Sequence, residues 1–229
     1  MISRPLDRPA HSPRRRGGRR SASISPGGED ATRERIVAAA LALFRHYGHT
    51  KTTFADIADA CRMSRANVYR FFESKSAISE TICALVLASL ATDLARIAAG
   101  RTSAASRLGL MADLVTRFNR DGAARDERIH EMLASAVTED WTAVRRFVRE
   151  ARNLFASVVG DGMAAGEFAP GDPDRTALYL CFALIGFWHP SVVDRCGELA
   201  DMRDASELIG FLLSGLRPVA GAACPGRPA

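Results

Sequence analysis

The chain is 229 residues long, 47% hydrophobic and 25% charged, with a formal net charge of +5. That length can bury a substantial core in one large domain or two small ones, and the composition excludes a wholly disordered chain and a disulfide-stapled mini-protein. The charge is uneven: residues 1–28 hold seven arginines against one acid, Asp7, which leaves residues 29–229 with a net charge of about −1. The basic character belongs to one end, so any case for nucleic-acid binding must rest on particular residues.

Residues 1–28 are rich in Arg, Ser, Pro and Gly and read as a disordered basic tail. Such a tail reaches along a minor groove, raises non-specific affinity for DNA, or reflects only the choice of start site. The first helix is expected from about Asp30 to Tyr47, where Ile36, Ala40, Leu43, Phe44 and Tyr47 form one apolar stripe and Gly48 ends it. Thr53, with Asp56 three residues on, opens a short helix over Phe54–Cys61. Ser64 caps a second short helix through Phe71 or Phe72, and Ser74 caps a long one from Lys75 to about Ala98. Two helices of roughly eight residues are not stable alone in water. They must dock on the first through Phe44, Phe54, Ile57, Ala58, Val68 and Phe72, which makes a helix-turn-helix in a three-helix bundle.

The stretch Thr52-Thr53-Phe54-Ala55-Asp56-Ile57-Ala58-Asp59-Ala60-Cys61-Arg62-Met63-Ser64-Arg65-Ala66-Asn67-Val68-Tyr69-Arg70-Phe71-Phe72-Glu73-Ser74-Lys75 closely resembles the DNA-binding segment of the tetracycline-repressor (TetR) family. About a dozen positions agree in register, over residues 30 to about 80. The resemblance implies an all-α fold: an N-terminal three-helix bundle with the helix-turn-helix, then a larger helical ligand-binding and dimerisation domain. The chain then divides into the tail at 1–28, a DNA-binding unit at 29–75, an effector and dimerisation unit at 76–217, and a loose tail at 218–229.

With Val68 and Phe72 facing inward, Arg65, Ala66, Asn67, Tyr69 and Arg70 lie on the exposed face that enters a major groove. Asn67 suits bidentate pairing with adenine, Arg65 or Arg70 suits guanine or a phosphate, and small Ala66 permits close approach. Ser64 belongs to the same edge as the cap of this helix. Tyr69 and Thr53 offer hydroxyls to the backbone. Lys75 stands in the first turn of the long helix, where a cation opposes the dipole, so a phosphate partner is expected there. Two positions depart from the family pattern. Arg62 stands where glycine is usual in the turn, a place that favours positive φ, so it accepts strain or the turn differs; its guanidinium is then within reach of a phosphate. Phe71 replaces a polar aromatic or histidine, so this side chain is expected to make no polar bond to the DNA backbone.

Further helices are expected near 103–119, 125–136, 140–165, 172–195 and 201–217, with Asp172 as an N-cap and a kink at Pro190. In the family this region encloses a small-molecule cavity, and Phe118, Trp141, Phe155 and His189 are the candidates to line it. Residues 177–188 are apolar nearly all round and 208–216 nearly so. They are expected to form a two-fold interface through Leu180, Leu184, Phe187, Trp188, Leu208, Phe211 and Leu212.

Five scattered cysteines show no metal spacing and fit a reducing cytoplasm; Cys61 beside Arg62 is the least unfavourable redox candidate. His130-Glu131 lacks the second histidine of a metalloprotease, and neither GxSxG nor GxGxxG occurs. No enzyme activity, cofactor or metal is expected, and no apolar run reaches the length of a membrane span. The reading is a soluble, cytoplasmic, homodimeric and ligand-responsive transcriptional regulator, a repressor in the usual sense of the family. Its partners are double-stranded DNA and an unidentified, largely apolar small molecule. The competing reading is an effector-independent architectural or partner-binding helix-turn-helix protein, which a fully packed C-terminal half would favour.

Overall fold

The computed structural model describes residues 26–188 and 205–218. The elements are α1 (Pro26–Tyr47), α2 (Phe54–Ala60), α3 (Arg65–Tyr69), α4 (Lys75–Ala98), α5 (Ala104–Arg125), α6 (Glu127–Thr138), α7 (Thr142–Ala164), α8 (Pro173–Ala183), α9 (Ile185–Trp188) and α10 (Ala205–Ser214), with no strand among the described residues. The kink expected at Pro190, the candidate His189, and the tails before residue 26 and after residue 218 lie outside them.

Helix starts follow the local chemistry. Thr53 and Asp56 form a reciprocal capping box on α2. Ser64 accepts from the Asn67 N–H, Ser74 from the Ala77 N–H, and Asp172 from the N–H groups of Asp174 and Arg175. The first helix begins at Pro26 rather than Asp30, because proline is well suited to a helix's first position and Gly27-Gly28 do not prevent it. The second short helix ends at Tyr69, earlier than expected, because the Phe71 and Phe72 N–H groups both turn back to the Val68 carbonyl and carry the two rings inward. The long helix expected over 172–195 is interrupted at Leu184, giving α8 and α9.

Three helices end in the same motif. At the end of α2 the Arg62 N–H bonds Asp59 O and the Met63 N–H bonds Ala58 O; at α6 Asp140 bonds Val137 and Trp141 bonds Ala136; at α7 Gly166 bonds Met163 and Glu167 bonds Gly162. These are Schellman closures, which place the residue after the cap in the left-handed region. Gly166 does so at φ +73°, whereas Asp140 at +54° and Arg62 at +53° carry a Cβ there. Asp tolerates that conformation better than arginine does. Arg62→Gly is therefore expected to stabilise the fold by about 1 kcal/mol. In a chain of this size that raises the melting temperature by roughly 2–4 °C, which calorimetry would read; an unchanged or lower value would refute the strain.

Two apolar cores stack along the molecule. The first gathers Phe44, Ile57, Val68 and Phe72 with Ile78 and Ile82 of α4 and Met132 and Ala136 of α6. The core around the helix-turn-helix thus continues past residue 75 into α4 and α6. The second gathers Leu94, Leu108, Met111, Phe155, Val158, Leu184 and Ile209. Helix α4 runs through both, which explains why it is long and apolar: most soluble helices bury one stripe, and this one packs on α1, α5, α6 and α7.

Side chains distant in sequence tie the helices together. Glu80 Oε1 of α4 accepts the Ala143 N–H at 2.7 Å and caps α7, while Glu167 accepts the N–H groups of Ala104 and Ala105 and caps α5. Arg107, 8% exposed, donates to Ala98 O and to Asp161. At Gly162 an added Cβ would lie 2.3 Å from the Phe168 ring, so only glycine lets that ring close over α7.

Candidate nucleic-acid interface

Helix α3 is held from below and free above. Val68 is fully buried and Phe72 3% exposed, while Ser64, Arg65, Ala66, Tyr69 and Arg70 are exposed and Asn67 is half-buried. The side chains of Arg62, Arg65, Asn67 and Arg70 make no hydrogen bond or ion pair among the described residues. An orderly shelf beneath and unsatisfied donors above suit an external partner with many acceptors. Tyr69, 54% exposed, stacks on Phe54 with ring centroids 4.2 Å apart, which fixes the direction of its hydroxyl. Exposed Lys51 adds a cation on the loop before α2.

Two of the anticipated phosphate contacts have other occupations. The Thr53 hydroxyl donates to Asp56 Oδ2 at 2.8 Å and accepts the Asp56 N–H, so it is used up in the capping box. The Thr53 backbone N–H and then its hydroxyl hold the Asp56 carboxyl below its ordinary pKa, with Arg65 adding to the effect. The Lys75 ammonium turns back to the carbonyls of His49, Thr50 and Thr52 at 2.7, 3.3 and 3.0 Å. Its misfit with the α4 dipole is offset inside the protein, by the loop that leads into α2, without a phosphate. Burial and the Lys75 charge hold the His49 pKa below its usual value. On the inner side of Phe71 the chain is tied from within: Arg33 donates to the Phe71 carbonyl and lies over the Phe72 ring at 4.4 Å.

The larger unit holds a cavity of about 640 Å³ between α4, α5, α6, α7, α8 and α9. That is within the usual range of roughly 300–1,000 Å³ for small-molecule sites. Phe118 lines it, as anticipated. Trp141 does not: it stands at the start of α7, packs on the first core, and donates its indole N–H to Glu139. Phe155 does not either: it is fully buried in the second core, edge-to-face with Trp188 at 5.4 Å, and it is Trp188 that faces the cavity. The lining also holds Leu87, Leu133 and Phe147, and, not anticipated, Val137, Leu178 and Cys181 and an arginine series on α7, Arg145, Arg149 and Arg152. That series is visible in the sequence as a four-then-three spacing beside Val144, Phe147, Val148 and Ala151, but nothing in one helix says which neighbour its face meets.

The apolar helices near the C-terminus divide their faces. Leu180 and Leu184, expected at an interface, are 3% and 0% exposed within one chain, because the Ala177–Leu180–Leu184 stripe packs into the second core. Phe187, Trp188, Leu208 and Leu212 are half-buried against the same core. Leu178, Cys181, Phe182 and Ile185 turn to the cavity. Phe182 and Ile185 stand at its open rim and remain exposed, and Tyr179 on α8 and Phe211 on α10 face outward as well, the last 74% exposed. Burial raises the thiol pKa of Cys61, and pushes Cys83 up to about 12 and Cys181 up to about 11, so none of the three is a thiolate near neutrality.

The family model of bacterial regulatory proteins of the tetR family matches residues 36–82, and that of the tetracyclin-repressor-like C-terminal domain matches residues 104–209. No curated protein matches significantly. Among solved structures, a TetR/AcrR-family transcriptional regulator from Thermobifida fusca is 24% identical, with 80% of this chain and 95% of that one covered and a TM-score of 0.55. A transcriptional regulator from Cytophaga hutchinsonii is 20% identical, with 81% and 98% covered and a TM-score of 0.62. SmeT, repressor of the Stenotrophomonas maltophilia multidrug efflux pump SmeDEF, is 22% identical, with 87% and 96% covered and a TM-score of 0.60; its complex with triclosan is also known.

Proposed function

The chain belongs to the tetracycline-repressor (TetR) family of DNA-binding transcriptional regulators, and from that premise we propose a cytoplasmic homodimeric repressor that a small molecule releases from its operator. Two copies of α3 would read half-sites about 34 Å apart in successive major grooves of a pseudo-palindrome. Arg65, Asn67 and Arg70 meet base edges or phosphates, Ala66 lets the helix approach, and Ser64, Tyr69 and Arg62 meet the backbone. Lys51 adds to the positive edge. Residues 29–75 carry this task, and 76–217 hold the effector and the partner subunit, with exposed Phe211 and Tyr179 contributing to the shared surface.

The cavity and the reading head are joined by helices that touch both. Leu87 and Leu90 of α4 and Leu133 and Val137 of α6 line the cavity, while Ile78, Ile82, Met132 and Ala136 of the same helices pack in the first core. Asp126, the cap of α6, also holds Arg45 of α1 at 2.7 Å. A ligand favouring one arrangement of α4 and α6 shifts the α1–α3 unit with them and changes the separation of the two recognition helices. SmeT with triclosan is a fold neighbour that binds a small molecule, which supports the same use of this cavity. A packed C-terminal half would have favoured the effector-independent alternative, and a cavity of about 640 Å³ weighs against it.

The observation that carries the proposal is the exposed, unsatisfied polar face of α3 above fully buried Val68. Immobilised protein is expected to retain a small set of sheared genomic fragments sharing an inverted repeat. Failure to retain any duplex, even at low ionic strength, would end this reading.

A further inference from the structure

The cavity is apolar inside and cationic along one side. Leu87, Phe118, Phe147 and Trp188 supply carbon surface, while Arg145, Arg149 and Arg152 stand along one face of α7. Asp140 is the one acid among the described lining residues, and it is already engaged: Arg145 bonds its carboxylate at 2.9 Å and also its carbonyl. Arg145 further donates to Thr142, so it serves to lock the α6–α7 turn. Arg149 and Arg152 make no ion pair among the described residues, and both remain exposed at the edge of the cavity. The charge of Arg152 acts on Cys181 across the cavity wall, opposing the upward push of burial on that thiol, so its field reaches the interior. Two uncompensated cations beside an apolar chamber disfavour a cationic guest and leave a neutral one indifferent. Only an anionic head with an apolar body uses both features.

We propose that the cavity binds an amphiphilic carboxylate, an aliphatic or aryl body between Leu87, Phe118, Phe147 and Trp188 with its head group at Arg149 and Arg152. This ligand is the effector of the regulator proposed above, so the assignment rests on that reading. The head stays near solvent, where its charge costs little to hold, and the body takes the water-excluding part.

Trp188 faces the cavity and Trp141 does not, so a full-length Trp141→Phe protein reports occupancy through Trp188 emission. Titrated at low ionic strength, decanoate is expected to bind about tenfold more tightly than 1-decanol, as two exposed charge-assisted contacts allow, and decylamine more weakly than either. Arg149→Gln with Arg152→Gln should erase the preference for decanoate over 1-decanol; Arg149→Lys with Arg152→Lys should keep most of it. Added salt should narrow the preference. Equal binding of decanoate and 1-decanol, a preference that survives the glutamine pair, or no decanoate binding would each overturn the assignment. If both probes bind equally and both release retained genomic fragments, the regulator stands and the carboxylate class falls. If decanoate binds with the expected preference but fragments stay bound, the ligand class stands and the response to it falls.

Discussion

Replacing Lys75 by methionine is expected to lower the melting temperature by roughly 5–15 °C while leaving the salt dependence of DNA binding unchanged. The ammonium serves three carbonyls of the loop between α1 and α2, those of His49, Thr50 and Thr52, two of them in partly buried bonds. A hydrogen bond to a charged donor contributes about 1.5–3 kcal/mol, and carbonyls left without a donor lose that and gain only incomplete hydration. A total of about 2–4 kcal/mol is a sober sum for the three, and at about 2–4 °C per kcal/mol it gives the shift named. The side chain is a clamp that sets where α2 begins relative to α4. A cation on a phosphate would behave oppositely: its removal leaves the melting point nearly intact and lowers the salt slope by about one. Thermal denaturation beside a salt titration separates the two, and a K75M protein that melts like the wild type would refute the clamp.

Asn67→Ala is expected to relax sequence preference at one base pair per half-site by about 1–3 kcal/mol, with non-specific binding little changed. Neutralising Arg65 and Arg70 together should weaken binding to all sequences and reduce the salt slope by about one for each phosphate that no longer meets a guanidinium. The contrast follows from the structure, since these three side chains share the outward side of α3 and make no hydrogen bond or ion pair among the described residues to distort the comparison. Competition binding against a panel of single-base operator variants provides the readout. Should N67A keep full discrimination at every position, Asn67 is not reading a base.

The helix-turn-helix was legible residue by residue because its signals are short-range. Thr53 with Asp56, Ser64 with the Asn67 N–H and Ser74 with the Ala77 N–H all act over three residues. The apolar stripe of α1 and the inward Val68 and Phe72 obey the helical period, so the outward face of α3 followed by subtraction. At Arg62 the pattern left two outcomes open, strain or a different turn, and the φ of +53° is the first of them. Lys75 and Thr53 differ: their residue types suit a phosphate, but the partners they have within the protein were chosen by the folded chain. Lys75 reaches carbonyls 23 to 26 positions away.

The same division runs through the larger unit. Composition showed that 177–188 and 208–216 would be apolar on several faces, but not how those faces would be distributed. Leu180 and Leu184 went to the core, Phe182 and Ile185 to the exposed rim of the cavity, and Phe211 to the outside. Likewise Glu80 caps α7 by accepting an N–H 63 residues later, a pairing with no trace in the local pattern. The amino-acid order by itself determined most of the helices, the caps at Thr53, Ser64, Ser74 and Asp172, and the outward face of α3, because each depends on neighbours within one or two turns. Only the tertiary structure decided which side chains surround the cavity, which seal the core and which cation is already spoken for. Those outcomes depend on contacts between helices remote in sequence, and a helical face carries no record of what it will meet.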